Sequence, residues 1–444
     1  MRTVNVGILG GGTVGGGVIQ GLKRNGSLMR TRTGISLRVS KVAVRDLKKE
    51  RAVAIPNNLL TADWREVVED PKVELVAELM GGTGLAKTAV LRALQLGKPV
   101  VTANKALLSE HGQEIFAAAE ANETNVYFES SVAGGIPIIK ALREGMVGNR
   151  VVAMQGILNG TCNYILSRME REGGAFEDIL ADAQRLGYAE AEPSLDVDGL
   201  DAMHKTGLLA TLAYGFWVGP ESIFVEGIRH ITPLDIDFAR QLGYKIKLIA
   251  SVEDLSFRKS KKSHEANAKV SVCPTLVPES HVLAGVSDVF NAVYLKGDVV
   301  GETLFYGHGA GQDATASAVL ADLADAACEL GNSSLNGFRS LIAPSAQGRV
   351  VPWEEVVCRY YLRLSVQDRP GVLARIANVL GESKIGISSV FQPEGHEGKA
   401  VPLILMVHDA PNKVMHSALQ TIGKLKAVKE QPLMIRVANF GGEG

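Results

Sequence analysis

The chain lacks surplus charge of either sign. Its 47 lysines and arginines face 48 aspartates and glutamates, for a formal net charge of −1, whereas a nucleic-acid binder ordinarily carries a strong basic excess or stripe. It also lacks any uninterrupted apolar run near the ~18 residues of a membrane-spanning helix. Cysteines are few: Cys162, Cys273, Cys328 and Cys358 lie far apart without a CxxC pair. That spacing excludes a zinc cluster and argues against a disulfide framework. The N-terminus has one basic residue and runs straight into a strand-and-glycine pattern, without the apolar segment and cleavage site of a secretory signal. The expectation is a cytoplasmic protein with reduced thiols that meets neither nucleic acid nor membrane.

What the chain has is glycine, 48 residues in 444, and a length that predicts two to four domains. Val4–Leu9 reads as a short buried strand, followed by Gly10-Gly-Gly-Thr-Val-Gly15 and a helical run over Val18–Lys23. Further strands are expected at Leu37–Val44, Val73–Met80, Pro99–Ala103 and Val126–Val132, with helices at Ala86–Leu96 and Gly112–Asn122 between them. Strands alternating with helices mean parallel crossovers, so residues 1–135 are expected to form a Rossmann-type doubly wound parallel sheet in an α/β fold. From Val151 the rhythm changes to an α+β pattern, placing a substrate and dimerisation domain at 136–315. Its basic stretch Arg258–Lys262 reads as a solvated hairpin loop. Residues 316–350 read as a returning helix and a polar linker, Gly331–Ser345. Residues 356–440 repeat the ferredoxin-like order βαββαβ, a module large enough to fold alone.

A G-x-G-x-x-G match gains meaning from its place after a strand and before a helix. There Gly10 allows the tight turn, Gly12 lets the backbone approach a pyrophosphate, and Gly15 lets helix and strand pack closely. The end of the second strand selects the nicotinamide cofactor, because a carboxylate there would repel a 2′-phosphate. The sequence offers Arg45, which favours NADP, and then Asp46, which keeps NAD open.

Several runs together resemble one family. Gly10–Gly15, Val101-Thr-Ala-Asn-Lys-Ala-Leu107, Phe128-Glu-Ser-Ser-Val-Ala-Gly-Gly-Ile-Pro137, Asn159-Gly-Thr-Cys-Asn-Tyr164 and the long motif Tyr188–Lys205 are similar to homoserine dehydrogenase, in the family's order over about residues 1–345. Asp368-Arg-Pro-Gly-Val-Leu373 resembles the first loop of an ACT domain. One departure is Ala314, where the family usually has proline; a slightly looser helix N-terminus and no change of reaction are expected.

The resemblance implies reversible hydride transfer between NAD(P)H and L-aspartate 4-semialdehyde, giving L-homoserine in threonine and methionine biosynthesis. Hydride arriving at a carbonyl leaves alkoxide charge, so a proton donor must stand beside that oxygen. Two lysines qualify. Lys205 shares a helix face with Asp201, four residues earlier, and Lys105 follows a strand at the carboxyl edge of the first sheet. By spacing alone, Asp201 and Lys205 could equally be an exposed i,i+4 pair. The resemblance assigns both lysines to proton transfer and Asp201 to orientation. It further implies substrate contacts at Gly160, Thr161, Tyr188, Glu190 and Asp196. It implies cofactor contacts at Gly10, Gly12, Thr13, Val14, Gly15, Arg45, Gly81, Thr102, Lys105 and Gly309. It implies a structural monovalent cation such as Na+ at Glu129, Val132, Gly134 and Ile136. In the tail it implies an amino-acid site, for L-threonine, at Asp368, Pro370, Gly371 and Leu373, and a homodimer or homotetramer. The alternatives are an enzyme like aspartate-semialdehyde dehydrogenase, which would need a nucleophilic cysteine, and a catalytically silent NADP-binding amino-acid sensor. Cys162 lacks a motif-placed histidine base for the first.

Overall fold

Val4, Val6, Ile8 and Leu9 are fully buried although they point to both faces of one strand, as in a central parallel strand covered by helices on either side. The computed structural model of the chain describes residues 2–257, 266–331, 347–393 and 400–440. In it this strand is β1 (Arg2–Leu9), which leads through α1 (Thr13–Thr33) to β2 (Ile35–Ala43). There follow β3 (Leu60–Thr61), the short α2 (Arg65–Val68), β4 (Leu75–Glu78), α3 (Gly84–Gln95), β5 (Val100–Thr102), α4 (Lys105–Ala121) and β6 (Val126–Tyr127). The strands lie in the order β3-β2-β1-β4-β5-β6 and all run parallel, the expected doubly wound sheet. Growth reverses direction between β1 and β4, and ligands of such sheets bind outside the strand carboxyl ends at that reversal.

After α5 (Ile138–Lys140) come β7 (Val151–Ile157), α6 (Gly160–Glu172), α7 (Phe176–Arg185), α8 (Ser194–Val197), α9 (Leu200–Tyr214), β8 (Phe224–Val225) and α10 (Pro233–Gln241). Four long strands close this part: β9 (Tyr244–Asp254), β10 (Ala266–Pro278), β11 (Phe290–Gly297) and β12 (Gly301–His308). Helix α11 (Gln312–Gly331) then returns to the first sheet, where Ala316, Val319, Leu323 and Ala326 pack in one core with Val6 and Ile8. The tail is β13 (Gly348–Val350), β14 (Val357–Gln367), α12 (Val372–Glu382), β15 (Ile387–Phe391), β16 (Ala400–Pro411), α13 (Asn412–Gly423) and β17 (Leu433–Val437).

The βαββαβ order is the expected one, but its sheet does not stand by itself. The strands run β12-β11-β7-β9-β10-β17-β14-β16-β15 in one continuous sheet. The margin of β10 away from β9 is tiled by three short strands: β13 pairs at Ala266–Ala268, β8 at Ser271–Val272 and β17 at Thr275–Leu276. One face of the tail sheet joins the main core through Tyr361, Ile404, Met406, Ile435 and Val437. The other forms a core of its own with Tyr360, Leu362, Leu364, Ile376 and Leu380. At the seam, Asp235 is fully buried. It completes a capping box with Thr232 at the start of α10, and accepts from Arg363 Nε at 2.7 Å and from the Tyr361 hydroxyl at 3.3 Å.

Several further expectations differ in extent: helix α4 begins at Lys105, seven residues before Gly112. Helix α1 runs ten residues beyond Lys23, to Thr33. The strand expected over Val126–Val132 stops at Tyr127 and gives way to a 3-10 turn at Glu129–Ser131. The basic stretch Arg258–Lys262 and, apart from Gly331, the linker Gly331–Ser345 lie outside the described residues.

Candidate active site

The first cleft depends on missing side chains. Gly10 follows β1 at φ +106°, a conformation that favours glycine. A Cβ on Gly15 would lie 2.1 Å from the Gly10 carbonyl oxygen, whereas one on Gly12 would meet nothing within 4 Å. Gly12 is the N-cap of α1, whose first turn carries no acidic residue, so its unpaired N–H groups suit a phosphate. The cleft beside this turn holds about 540 Å³ and is lined by Gly10–Thr13, Ala43–Asp46, Arg51, Trp64, Met80 and Gln312. The Asp46 carboxylate is turned onto its own loop, accepting the Lys48 N–H at 2.8 Å, while Arg51 donates to the Asp46 carbonyl. Arg45 lines the cleft as a cation beside that occupied carboxylate. Glycine backbone, helix terminus and guanidinium together fit a dinucleotide. Trp64 and Gln312 are additions that no local motif announces.

Val14 packs against the core behind the turn. Gly81, Thr102 and Gly309 do not line this cleft. Gly81 and Thr102 meet instead at Glu78, a fully buried carboxylate at the end of β4. It accepts from the N–H groups of Met80 at 3.0 Å and Gly81 at 3.2 Å, and from the Thr102 hydroxyl at 2.7 Å. Burial pushes its carboxyl up against the effect of these bonds. Glu78 thereby ties together the loops after β4 and β5. An acidic residue ending an otherwise apolar strand was the signal for it. Gly309 packs on Asn291, where a Cβ would come within 2.1 Å of the side chain.

The second feature is crowded with charge. Asn104 caps α4 by accepting the Leu107 N–H at 3.1 Å, which fixes Lys105 as the first helical residue. Lys105 Nζ lies 3.0 Å from Asp201 Oδ1. One turn further along α9, Lys205 Nζ donates to Asp201 Oδ2 at 2.7 Å and to the Leu158 carbonyl at 2.8 Å. One carboxylate thus bridges both ammonium groups. Lys105 is the more open, its side chain 38% exposed against 11% for Lys205 and 12% for Asp201. Burial alone would raise the Asp201 carboxyl, but Lys205, Lys105 and hydrogen bonds from Lys205 and Asn159 hold it well below the usual range. In return the Asp201 charge raises the Lys105 ammonium above its ordinary value, against burial.

Asn159 connects this pair to the acidic stretch. As N-cap of α6 it accepts the Cys162 N–H at 2.8 Å, and its amide donates to Asp196 Oδ1 at 2.6 Å and to Asp201 Oδ2 at 3.0 Å. The sequence motif contains Asn159 without giving it a task; an asparagine between strand and helix is the sign of a cap. Burial raises the Asp196 carboxyl, and the charges of Asp196 and the exposed Glu190 both act on Lys105. The Thr161 hydroxyl donates to the Tyr188 carbonyl at 2.9 Å, and the Tyr188 ring packs 4.7 Å from that of Tyr164. Gly160 starts α6 where a Cβ would come within 2.9 Å of the Val289 carbonyl. By contrast Glu192 bonds Ser194, and Asp198 pairs with Arg229 at 2.5 Å. The Cys162 thiol is pushed well up by burial and lies 3.1 Å from the Asp196 carbonyl, so it is no nucleophile.

The loop expected to hold a cation is less open-handed. Both Glu129 oxygens accept backbone N–H groups, from Ile139 at 2.9 Å and Lys140 at 2.7 Å, and its own N–H donates to Asp322 at 2.8 Å. Burial raises the Glu129 carboxyl. The carboxylate therefore also serves as a helix cap. Among the described residues no group of three or more His, Cys, Asp or Glu side chains could hold a metal. In the tail, the Asp368 carboxylate accepts from Gln392 at 3.2 Å, Gly371 caps α12 at φ +84°, and Leu373 is exposed.

Comparison with known proteins places these features together. Residues 137–324 match the homoserine dehydrogenase family, 10–129 the homoserine dehydrogenase NAD-binding domain, and 360–427 the ACT domain. Homoserine dehydrogenase of Neisseria gonorrhoeae is 43% identical over 444 residues, 99% of this chain and 100% of its own. That of Pseudomonas aeruginosa is 42% identical over 98% of this chain and 99% of its own. Among solved structures, homoserine dehydrogenase from Thiobacillus denitrificans superposes with a TM-score of 0.92 at 43% identity, over 99% of both chains. A hyperthermophilic archaeal homoserine dehydrogenase in complex with NADPH gives 0.61 at 26% identity, over 74% of this chain and 98% of that one.

Proposed function

The chain belongs to the homoserine dehydrogenase family of oxidoreductases, and from that premise we propose that it reduces L-aspartate 4-semialdehyde to L-homoserine, preferring NADP. The observation that carries the assignment of roles is the Asp201 carboxylate held between Lys105 and Lys205, at 3.0 and 2.7 Å. A bound nicotinamide supplies the hydride. The chain supplies the rest. Gly10, Gly12, Thr13 and Gly15 seat the pyrophosphate, and Arg45 meets a 2′-phosphate while Asp46 is turned away. Lys205 and Lys105 together serve proton transfer: a proton passes from the pair to the carbonyl oxygen as negative charge develops there, and the remaining ammonium adds positive charge beside it. Asp201 orients both ammonium groups and keeps Lys105 protonated. Glu190 and Asp196, with Thr161 and Tyr188, receive the substrate ammonium. The monovalent cation belongs at the Glu129 carboxylate and the main-chain oxygens of Val132, Gly134 and Ile136, as a structural ion outside the proton path.

The ACT-like tail adds nothing to hydride transfer, and we assign it to feedback by L-threonine at Asp368–Leu373, in a homodimer or homotetramer acting in threonine and methionine biosynthesis. The test is NADPH oxidation with L-aspartate semialdehyde, repeated with NADH and with added L-threonine. Turnover faster with NADPH and lowered by threonine is the expected result. Cofactor binding without turnover would instead identify a silent sensor.

A further inference from the structure

The first sheet keeps a buried carboxylate to which the proposed reaction gives no task. Glu78 ends β4 fully buried, directly opposite Thr102 of β5 in the parallel register. Its Oε1 accepts two main-chain N–H groups, of Met80 and Gly81, and its Oε2 accepts the Thr102 hydroxyl at 2.7 Å. Burying a carboxylate is unfavourable unless donors converge on it. An amide oxygen in its place would already satisfy the two loop N–H groups. What the second carboxylate oxygen adds is a fixed direction for the Thr102 hydroxyl.

That direction is passed on. The hydroxyl has one proton, and with it committed to Glu78 the oxygen turns its lone pairs to the Asn104 N–H, which donates to it at 3.0 Å. Asn104 is the N-cap of α4. Its Oδ1 accepts the Leu107 N–H at 3.1 Å, and its Nδ2 donates to the Gly82 carbonyl at 2.7 Å. Burial raises the Glu78 carboxyl, and Thr102 and Asn104 are among the groups that lower it, so both partners favour the ionised acceptor. The Thr102 carbonyl is held in turn by the hydroxyls of Ser130 at 3.3 Å and Ser131 at 3.0 Å. The chain of bonds from Glu78 ends at the first turn of α4, where Lys105 Nζ stands 3.0 Å from Asp201 Oδ1. Lys205 is tethered by the Leu158 carbonyl as well as by Asp201. Lys105 is the more exposed lysine, and its reach toward Asp201 is set by where α4 begins.

We propose that Glu78 is a positioning residue: acting through Thr102 and Asn104, it sets the start of α4 and so holds the Lys105 ammonium against Asp201. Its effect on turnover rests on the role proposed above for the lysine pair; the placement itself does not. Without the second Glu78 oxygen, or without the Thr102 hydroxyl, α4 shifts and Lys105 withdraws from Asp201.

Trace acetylation of the full chain across a range of pH, read at Lys105 by peptide mass spectrometry, tests the placement without turnover, because an amine is acetylated only when neutral. Asp201 is the largest influence raising Lys105, so withdrawal lowers the midpoint of its labelling, by about one pH unit. Glu78→Gln should show that fall: its amide oxygen can serve Met80 and Gly81, but its NH2 meets a hydroxyl oxygen already accepting from Asn104. Thr102→Val, of nearly the same shape without the hydroxyl, should show it too, and Thr102→Ser should return the midpoint to that of the wild type. Turnover in Glu78→Gln falls by about tenfold to a hundredfold, and adding Glu78→Gln to Lys105→Ala lowers turnover by no more than about a further twofold. An unmoved midpoint in Glu78→Gln and Thr102→Val, an equal fall in Thr102→Ser, or a Glu78→Gln loss that adds in full to that of Lys105→Ala overturns the proposal. Turnover like the wild type in Lys105→Ala, with the midpoint still moved by Glu78→Gln, counts against the proposed reaction and leaves the placement standing.

Discussion

At the nucleotide cleft the working parts are positions where a side chain is absent; at Asp201 they are charged groups pressed together. The cleft is built chiefly from residues 10–15, the end of β2 and the open N-terminus of α1, with Trp64, Met80 and Gln312 added from elsewhere. The lysine pair draws on α4, the end of β7, the cap of α6 and α9. Loss of a glycine should therefore act through geometry and cofactor affinity. Loss of a member of the charged group should act through the balance of charge, and so through turnover and its pH dependence.

Four measurements would sharpen or break that contrast. Lys205→Ala should lower turnover by about 10²–10⁴ with cofactor affinity nearly intact; turnover like the wild type would remove Lys205 from its role. Asp201→Asn should lower turnover by about tenfold to a hundredfold and shift the pH profile. Homoserine oxidation needs a neutral amine to accept the proton, so it rises as pH climbs toward the lysine range. The Asp201 charge is the largest influence raising Lys105, so its removal moves the alkaline limb to lower pH. An unmoved limb would show that the two groups are not coupled in the working enzyme. Gly15→Ala sets a Cβ against the Gly10 carbonyl; the NADPH KM should rise about tenfold or more while kcat at saturation changes less. A fall in kcat alone would contradict the geometric account. Arg45→Ala should weaken NADPH by about tenfold and leave NADH nearly unchanged, visible as a ratio of kcat/KM values; equal losses would make Arg45 a bystander.

Much of the first region was legible because its information is contiguous. Gly10, Gly12 and Gly15 fall within one turn, and Arg45 sits where β2 ends. The second region was half legible. Asp201 and Lys205 are one helical turn apart, which a spacing argument finds, but nothing local says that Lys105, ninety-six positions before Asp201, meets the same carboxylate. Glu78 escaped notice because an acid at a strand end looks like a surface charge until its three donors are seen. The second half of α1 was missed because Arg24, Asn25 and Arg30 are exposed and give no apolar stripe. The strand expected through Val132 ends early because Glu129 turns to cap α5. The union of tail and catalytic sheet was beyond reach, since its strand pairings are short and parallel, β17 at Thr275 and Leu276 and β13 at Ala266–Ala268.

That slender pairing, with β13 and β8 laid along the same margin of β10, has a practical consequence for anyone wishing to remove the ACT-like tail. Truncation after Val350 would take away β17 and leave Thr275 and Leu276 with bare amides and carbonyls. The apolar surface that Tyr361, Ile404, Met406, Ile435 and Val437 now cover would be laid open beside them. An unguarded border of this kind invites strands from other molecules. What the tail does is better probed by point substitution within it than by amputating the C-terminal third of the sheet.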